Sequence, residues 1–278
     1  MTCWSSFRCS LASLAALAAA SCASNSRQEE LAYVERAVEV IYAEAIESLE
    51  RNNWELAAAQ FNEVQRQHPY SVWAQRSMLM AAYVRYRARD YDEAISSAQQ
   101  YIALHPGADG APYAYYLVAV AHFDQIIDVG REQARSVLAE AALREVVARF
   151  PQSEYARDAG LKLDMVKDQL AGKEMEIGRY YLRRNEHLAA INRFRTVVKT
   201  YDTTTHAPEA LHRLVEAYLS VGLEGQAQAA AAVLGYNYPG SDWYADTYTL
   251  MTGRGVDMPV KPQGGGEAWY RRMWDAVF

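Results

Sequence analysis

The chain has 278 residues, about half of them apolar and 22% charged, with a formal net charge of −6. That balance belongs to a folding chain rather than a disordered one, and its length admits one large domain or two ordinary ones. With an acidic total and no Lys/Arg cluster, it lacks the basic face that phosphate backbones require, so no nucleic-acid partner is expected.

Residues 1–21 read as an export signal. Arg8 precedes an apolar run from Cys9 to Ala20, the length of a signal-peptide core and too short to span a bilayer. Ala19, Ala20 and Ser21 then lead into Cys22. This ending is similar to a lipobox, which predicts Cys22 as the lipidated first residue of the mature chain. An ordinary signal peptide cut elsewhere, or a buried amino-terminal helix, is the other reading. Cys3 and Cys9 leave with the signal, so neither a disulfide nor a cysteine metal site is expected. A single acyl chain anchors only marginally, whereas the several chains of a processed lipoprotein hold durably. Ala23 and Ser24 follow the cysteine without an Asp; by similarity to bacterial lipoproteins this implies the periplasmic face of the outer membrane. Residues 22–30 read as a short lipidated tether.

From 31 to 252 the sequence repeats itself. An alanine, an apolar residue four later and another three after that recur as Ala57/Phe61/Val64, Ala94/Ala98/Tyr101, Ala139/Leu143/Val146, Ala190/Phe194/Val197 and Ala227/Ala231/Leu234. Spacings of four and three share one helix face. Five residues beyond each set stands Pro69, Pro106, Pro151, Asp202 or Pro239, where a helix must stop. Twelve residues before the lead alanine come Ala45, Ala82, Gly178 or Val215, small enough for a close helix crossing. Trp54 and Tyr91 lie three before it. The fold class predicted is all-α: a tetratricopeptide-repeat solenoid of about five helical hairpins. The predicted helices are 31–50, 54–67, 73–88, 91–104, 112–127, 131–149, 154–184, 187–200, 207–221, 224–236 and 241–251. An insertion is expected near Asp124 to Arg135, with amino-terminal repeats over 31–127 and carboxy-terminal repeats over 128–252. The first helix of each unit should line the concave binding face.

Particular stretches carry a resemblance. NNWELAAAQFNEVQRQHPYSVWAQ (52–75), RARDYDEAISSAQQYIALHP (87–106) and PYAYYLVAVAHFDQ (112–125) resemble the BamD family of outer-membrane protein assembly factors. So do LAGKEMEIGRYYLRRNEHLAAINRFRTVVKTYDTT (170–204), LVEAYLSVG (214–222) and VLGYNYPGSDWY (233–244). The resemblance implies a subunit of the machine that folds β-barrels into the outer membrane. Its carboxy-terminal repeats would dock on the POTRA domain of the central β-barrel assembly subunit, beside accessory BAM lipoproteins. Its amino-terminal repeats would receive the terminal strand of unfolded outer-membrane proteins. Arg193 matches the family position expected to ion-pair with the POTRA domain, and Arg179 and Arg183 lie on the adjoining helix.

The aromatic residues Tyr70, Tyr83, Tyr86, Tyr113, Tyr116 and Phe123, with Asp124 and Gln125 beside them, suit a groove for an apolar extended peptide. Ordinary inter-helix packing is the other reading of each ring. Arg179, Arg183 and Arg184 read first as a solvated face with Glu176 and Glu186 as internal partners, whereas for Arg193 the resemblance favours docking. Residues 253–278 combine a Gly/Pro linker with an amphipathic tail bearing Trp269, Tyr270, Met273, Trp274, Val277 and Phe278 on one face. That tail could dock on a partner, lie at the membrane surface or cap the last repeat. His68, His105, His122, His187, His206 and His212 are scattered without metal-ligand spacing, and no phosphate loop or nucleophile elbow occurs. No cofactor, metal or enzymatic activity is expected. Other repeat lipoproteins, such as a secretin pilotin, a periplasmic coordinator or a holdase, share the anchor and the repeats.

Overall fold

The computed structural model describes residues 36–126, 133–258 and 271–275, and Val38–Phe278 cluster as one compact unit. Eleven α-helices of at least 12 residues occupy the described residues: α1 Val38–Glu50, α2 Trp54–Gln67, α3 Val72–Arg87, α4 Tyr91–Leu104, α5 Ala111–Asp124 and α6 Gln133–Arg149. They continue with α7 Glu154–Arg183, α8 His187–Thr200, α9 Ala207–Ser220, α10 Glu224–Asn237 and α11 Asp242–Gly253. No strand occurs among the described residues. Each helix packs on the next in the chain, and α1, α3 and α5 also touch in succession, as do α5 with α7 and α9 with α11. The result is the expected tetratricopeptide-repeat solenoid, with odd-numbered helices forming one layer and even-numbered ones the other. The predicted start at 31 differs from the observed one. Arg36 and Ala37 precede α1 without helical structure, and the rest of that stretch lies outside the described residues.

The repeat motif is the core. Ala57, Ala94, Ala139, Ala190 and Ala227 are fully buried, as are Phe61, Leu143, Phe194, Val64, Val146, Val197 and Leu234. Opposite them, Ala45, Ala82, Gly178 and Val215 are also buried. A Cβ on Gly178 would come within 2.5 Å of the Phe194 ring, so backbone meets ring at the α7–α8 crossing.

Local chemistry sets the ends. The second helix of a unit stops two residues before Pro69, Pro106, Pro151 or Pro239, because the residue preceding proline avoids helical angles. Ser71, Ser153 and Ser241 follow two residues after a proline, and each side chain accepts the backbone N–H three residues on. These serines are the N-caps of α3, α7 and α11. Within hairpins the chain reverses through a left-handed residue, Asn52, Arg89, Asn185 or Gly222. The next residue's N–H then bonds a carbonyl five positions back, as Asn53 to Ser48 and Leu223 to Tyr218, closing the helix end. The third hairpin has a longer connection, from Gln125 to Glu132, with 127–132 outside the described residues. That is where the insertion is expected.

Two outcomes follow. Gly178→Val should destabilise the chain by about 2 kcal/mol through overpacking against Phe194. Gly160→Ala in the same helix, where a new Cβ meets nothing within 4 Å, should stabilise it by about 0.5–1 kcal/mol. Thermal melts of both variants check the opposite signs. Second, burial, then the nearby Arg213, lowers the pKa of His212, whose Nδ1 lies 2.8 Å from the Thr247 hydroxyl between α9 and α11. A histidine with a depressed folded-state pKa binds its proton more readily unfolded. Its stabilising contribution is therefore present above about pH 6.5 and lost as pH falls below that. Melting points at pH 7.5 and 5.5 should differ less in His212→Gln than in the native chain. Burial, then Arg135, also lowers His122, so part of the slope should remain.

Candidate functional site

Successive odd-numbered helices bring the amino-terminal aromatics together. Tyr83 and Tyr86 stand on α3, Tyr113, Tyr116 and Phe123 on α5, and Tyr155, Asp158 and Lys162 on α7. Ring centroids lie 6.5 Å apart for Tyr83–Tyr113, and 5.3 Å apart for both Tyr113–Tyr155 and Tyr116–Tyr155. Tyr83, Tyr86, Tyr113 and Tyr116 are half-buried, and Tyr83, Tyr86 and Tyr116 pack on the core. Tyr86 donates its hydroxyl to Asp124 at 2.6 Å, and Tyr116 donates to Asp158 at 2.5 Å. Burial, then these carboxylates, raises both phenol pKa values well above the usual range; burial, then Tyr83, raises Tyr113. For Asp158 burial pulls upward, but hydrogen bonds from Lys162 and Tyr116 outweigh it and hold the carboxyl below its ordinary value. The phenols therefore stay neutral donors across ordinary pH and Asp158 stays ionised.

Two cations flank the rings. Lys162 sits 5.7 Å over Phe123 and donates to Asp158 at 2.6 Å. Arg87 lies over both Trp54 and Tyr83, at 5.1 and 5.7 Å, and donates to the Tyr83 hydroxyl at 2.7 Å. No carboxylate pairs with Arg87 among the described residues, so its charge is available to an incoming anion.

Two of the expected groove residues behave differently. Tyr70 is fully exposed on the α2–α3 turn and lines a separate concavity with Pro69, Val72 and Leu104. Gln125 turns inward, its amide donating to the Ala121 carbonyl at 2.9 Å and its oxygen accepting from Arg135. It braces the start of the insertion. Conversely, Tyr155, Asp158, Lys162, Arg87 and Trp54 join the cluster although the expected groove set omits them. One signal was present in the sequence: Tyr113 and Tyr155 each precede a buried alanine, Ala114 or Ala156, and so occupy the same register of their helices.

Arg179 and Arg193 are engaged internally by acids other than Glu176 and Glu186, whereas Arg184 pairs with Glu186 as expected. Arg193 on α8 pairs with Glu174 on α7 at 3.2 Å, its own side chain 43% exposed. Arg179 grips both oxygens of Glu209 on α9, at 2.9 and 3.0 Å. Glu176 pairs instead with Lys173. Arg183 stands at the end of α7. The pairs Arg179–Glu209 and Arg193–Glu174 thus lock α7 to α9 and α8 while leaving part of each guanidinium outward. No group of His, Cys, Asp and Glu among the described residues could hold a metal ion, and no described helix is long and apolar enough to cross a membrane. Cys22 lies outside the described residues.

Comparison with known proteins gives these features a lineage. A family model, YfiO, described as an outer membrane lipoprotein, matches residues 34–234. The outer membrane protein assembly factor BamD of Caulobacter vibrioides is 51% identical over 253 residues, 91% of this chain and 83% of its own. That of Rickettsia prowazekii is 42% identical over 214 residues, 77% of this chain and 85% of its own. Among solved structures, the TPR2AB domain of yeast Sti1 matches at 12% identity and a TM-score of 0.40, covering 86% of this chain and 89% of that one. The family match runs from ahead of α1 into α10, through every helix that supplies the aromatic cluster and the arginine pairs; the chain belongs to the BamD family.

Proposed function

We propose that this chain is an outer-membrane protein assembly factor and works without catalysis, as a lipid-anchored binding subunit of the β-barrel assembly (BAM) complex. The observation that carries the reading is the match along 34–234 to a family whose relatives bear that name. In this reading Cys22 carries the lipid, residues 22–30 form the tether, and the repeats do the work at the periplasmic face of the outer membrane. The solenoid's amino-terminal part, 31–127, takes the unfolded outer-membrane protein, and its carboxy-terminal part, 128–252, docks the POTRA domain of the central barrel subunit near the accessory lipoproteins.

Structural features support both roles, with the aromatic platform reaching past residue 127 through Tyr155 on α7. Aromatic rings spaced along α3, α5 and α7 form a platform to which Tyr113, Tyr116 and Tyr155 contribute, with Arg87 at one side and no carboxylate on it among the described residues. An extended apolar segment can lay its side chains on the rings while its carboxylate meets Arg87. Arg193 is poised differently, because its pairing to Glu174 fixes the guanidinium while leaving it partly exposed for a second carboxylate.

Two measurements test this. Replacing Tyr83 and Tyr86 with Ala should cut photo-crosslinking to a peptide of a barrel protein's terminal strand several-fold at unchanged helicity. Tyr70→Ala should leave the yield intact, and equal yields in all variants would remove the platform from the proposal. Arg193→Gln should reduce co-purification of the barrel subunit several-fold. Because Glu174 is largely buried, loss of its partner should also lower the melting point, so circular dichroism checks that the variant is folded. Normal co-purification would place the docking surface elsewhere.

A further inference from the structure

The last full hairpin poses a problem of burial. From Ala229 to Leu234, α10 has six consecutive buried residues. At about 100° per residue they sweep through more than one full turn, so the helix is covered on every side. Helices α9 and α11 provide part of the cover. The chain beyond α11 adds more. Val256 is buried in the same core, Met258 packs on it, and the Asp257 carbonyl accepts a hydrogen bond from Gln228 at 3.2 Å.

Residues 271–275 are helical, and Met273 and Trp274 lie against that same core. Trp274 forms one wall of a cavity of about 320 Å³ whose other walls include Val198, Ala207, Leu211, Val233 and Tyr238. The tail therefore reaches a groove shared by α8, α9 and α10. Of the expected roles for the tail, its described part shows a packing role on the last repeats.

Two features mark this occupant as replaceable. The indole borders the cavity rather than filling it, and so forgoes contacts that a closer fit would make. The connection through residues 259–270, outside the described residues, contains Pro259, Pro262 and three consecutive glycines from Gly264, a linker composition. Asp202 on the groove's rim suits the basic flank of the tail, Arg271 and Arg272.

The geometry points to a receptor groove on α8, α9 and α10 for a short amphipathic helix with a tryptophan anchor and a basic flank. The chain's own 271–275 segment fills it in cis, and a partner protein's helix of the same chemistry displaces that segment. This inference does not depend on the assembly-factor reading. A tethered occupant competes at an effective concentration of about a millimolar, so the free groove should bind such a helix much more tightly than the occupied one does.

The test uses the full chain and a fluorescent peptide of residues 267–278. Trp274→Ala should bind the peptide at least tenfold more tightly than the native chain, with circular dichroism confirming the fold. Met273→Ala serves as the milder variant should the first lose structure, with an increase of at least threefold expected. Adding Ala207→Trp, which fills the cavity, should abolish the gain. Equal peptide affinity in the native and tail variants overturns the proposal, as does a gain that survives Ala207→Trp in a folded chain.

Discussion

Each unit depends on how closely its two helices cross. Where the first helix presents Ala45, Ala82, Gly178 or Val215, the second presents a buried alanine and, in two units, a phenylalanine. At the α7–α8 crossing no side chain separates backbone from the Phe194 ring. A larger group there would splay the hairpin, and the effect would not stay local. Close crossings of this kind let the first helices of successive units face one another. Tyrosines on α3, α5 and α7 come within 5–7 Å of each other as a consequence. The aromatic cluster is thus a product of packing underneath it.

Turn chemistry enforces the same regularity. Left-handed reversals at Asn52, Arg89, Asn185 and Gly222 give their hairpins nearly the same connection. Asn and Gly tolerate that conformation readily; Arg89, exposed and β-carbon-bearing, does so at a cost. The third hairpin has a longer connection, and beside it Arg135 reaches both Gln125 and, at 3.6 Å, Asp92. Side-chain bonds tie α6 to its neighbours there.

Much of this was legible in the residues themselves. Alanine-led sets and their prolines located the helices to within a few residues at most ends, because steric size and a missing N–H act locally. The start of α1 was less legible: the apolar pattern continues upstream of Val38 without a capping residue to mark a boundary. Site residues followed the same divide. Tyr83, Tyr86, Tyr113 and Tyr116 could be gathered because repeat register predicts which helices are neighbours. Glu209 as the partner of Arg179, 30 residues away, could not be read, since ion-pair choice depends on rotamers across a tertiary contact. Gln125 was misleading for a related reason: a polar side chain beside aromatics is as easily consumed by its own backbone.

Helix α7 is 30 residues long, about 45 Å from end to end. Its first turns carry Tyr155 and Asp158 of the aromatic platform; its last carry Arg179 and Arg183. The two regions are therefore mounted on a single spar, with roughly 30 Å between Asp158 and Arg179 set by helical rise alone. A roll of that spar about its axis would turn both ends in the same sense. In the proposed function, grip on a polypeptide at one end and seating against a neighbour at the other would be mechanically in series.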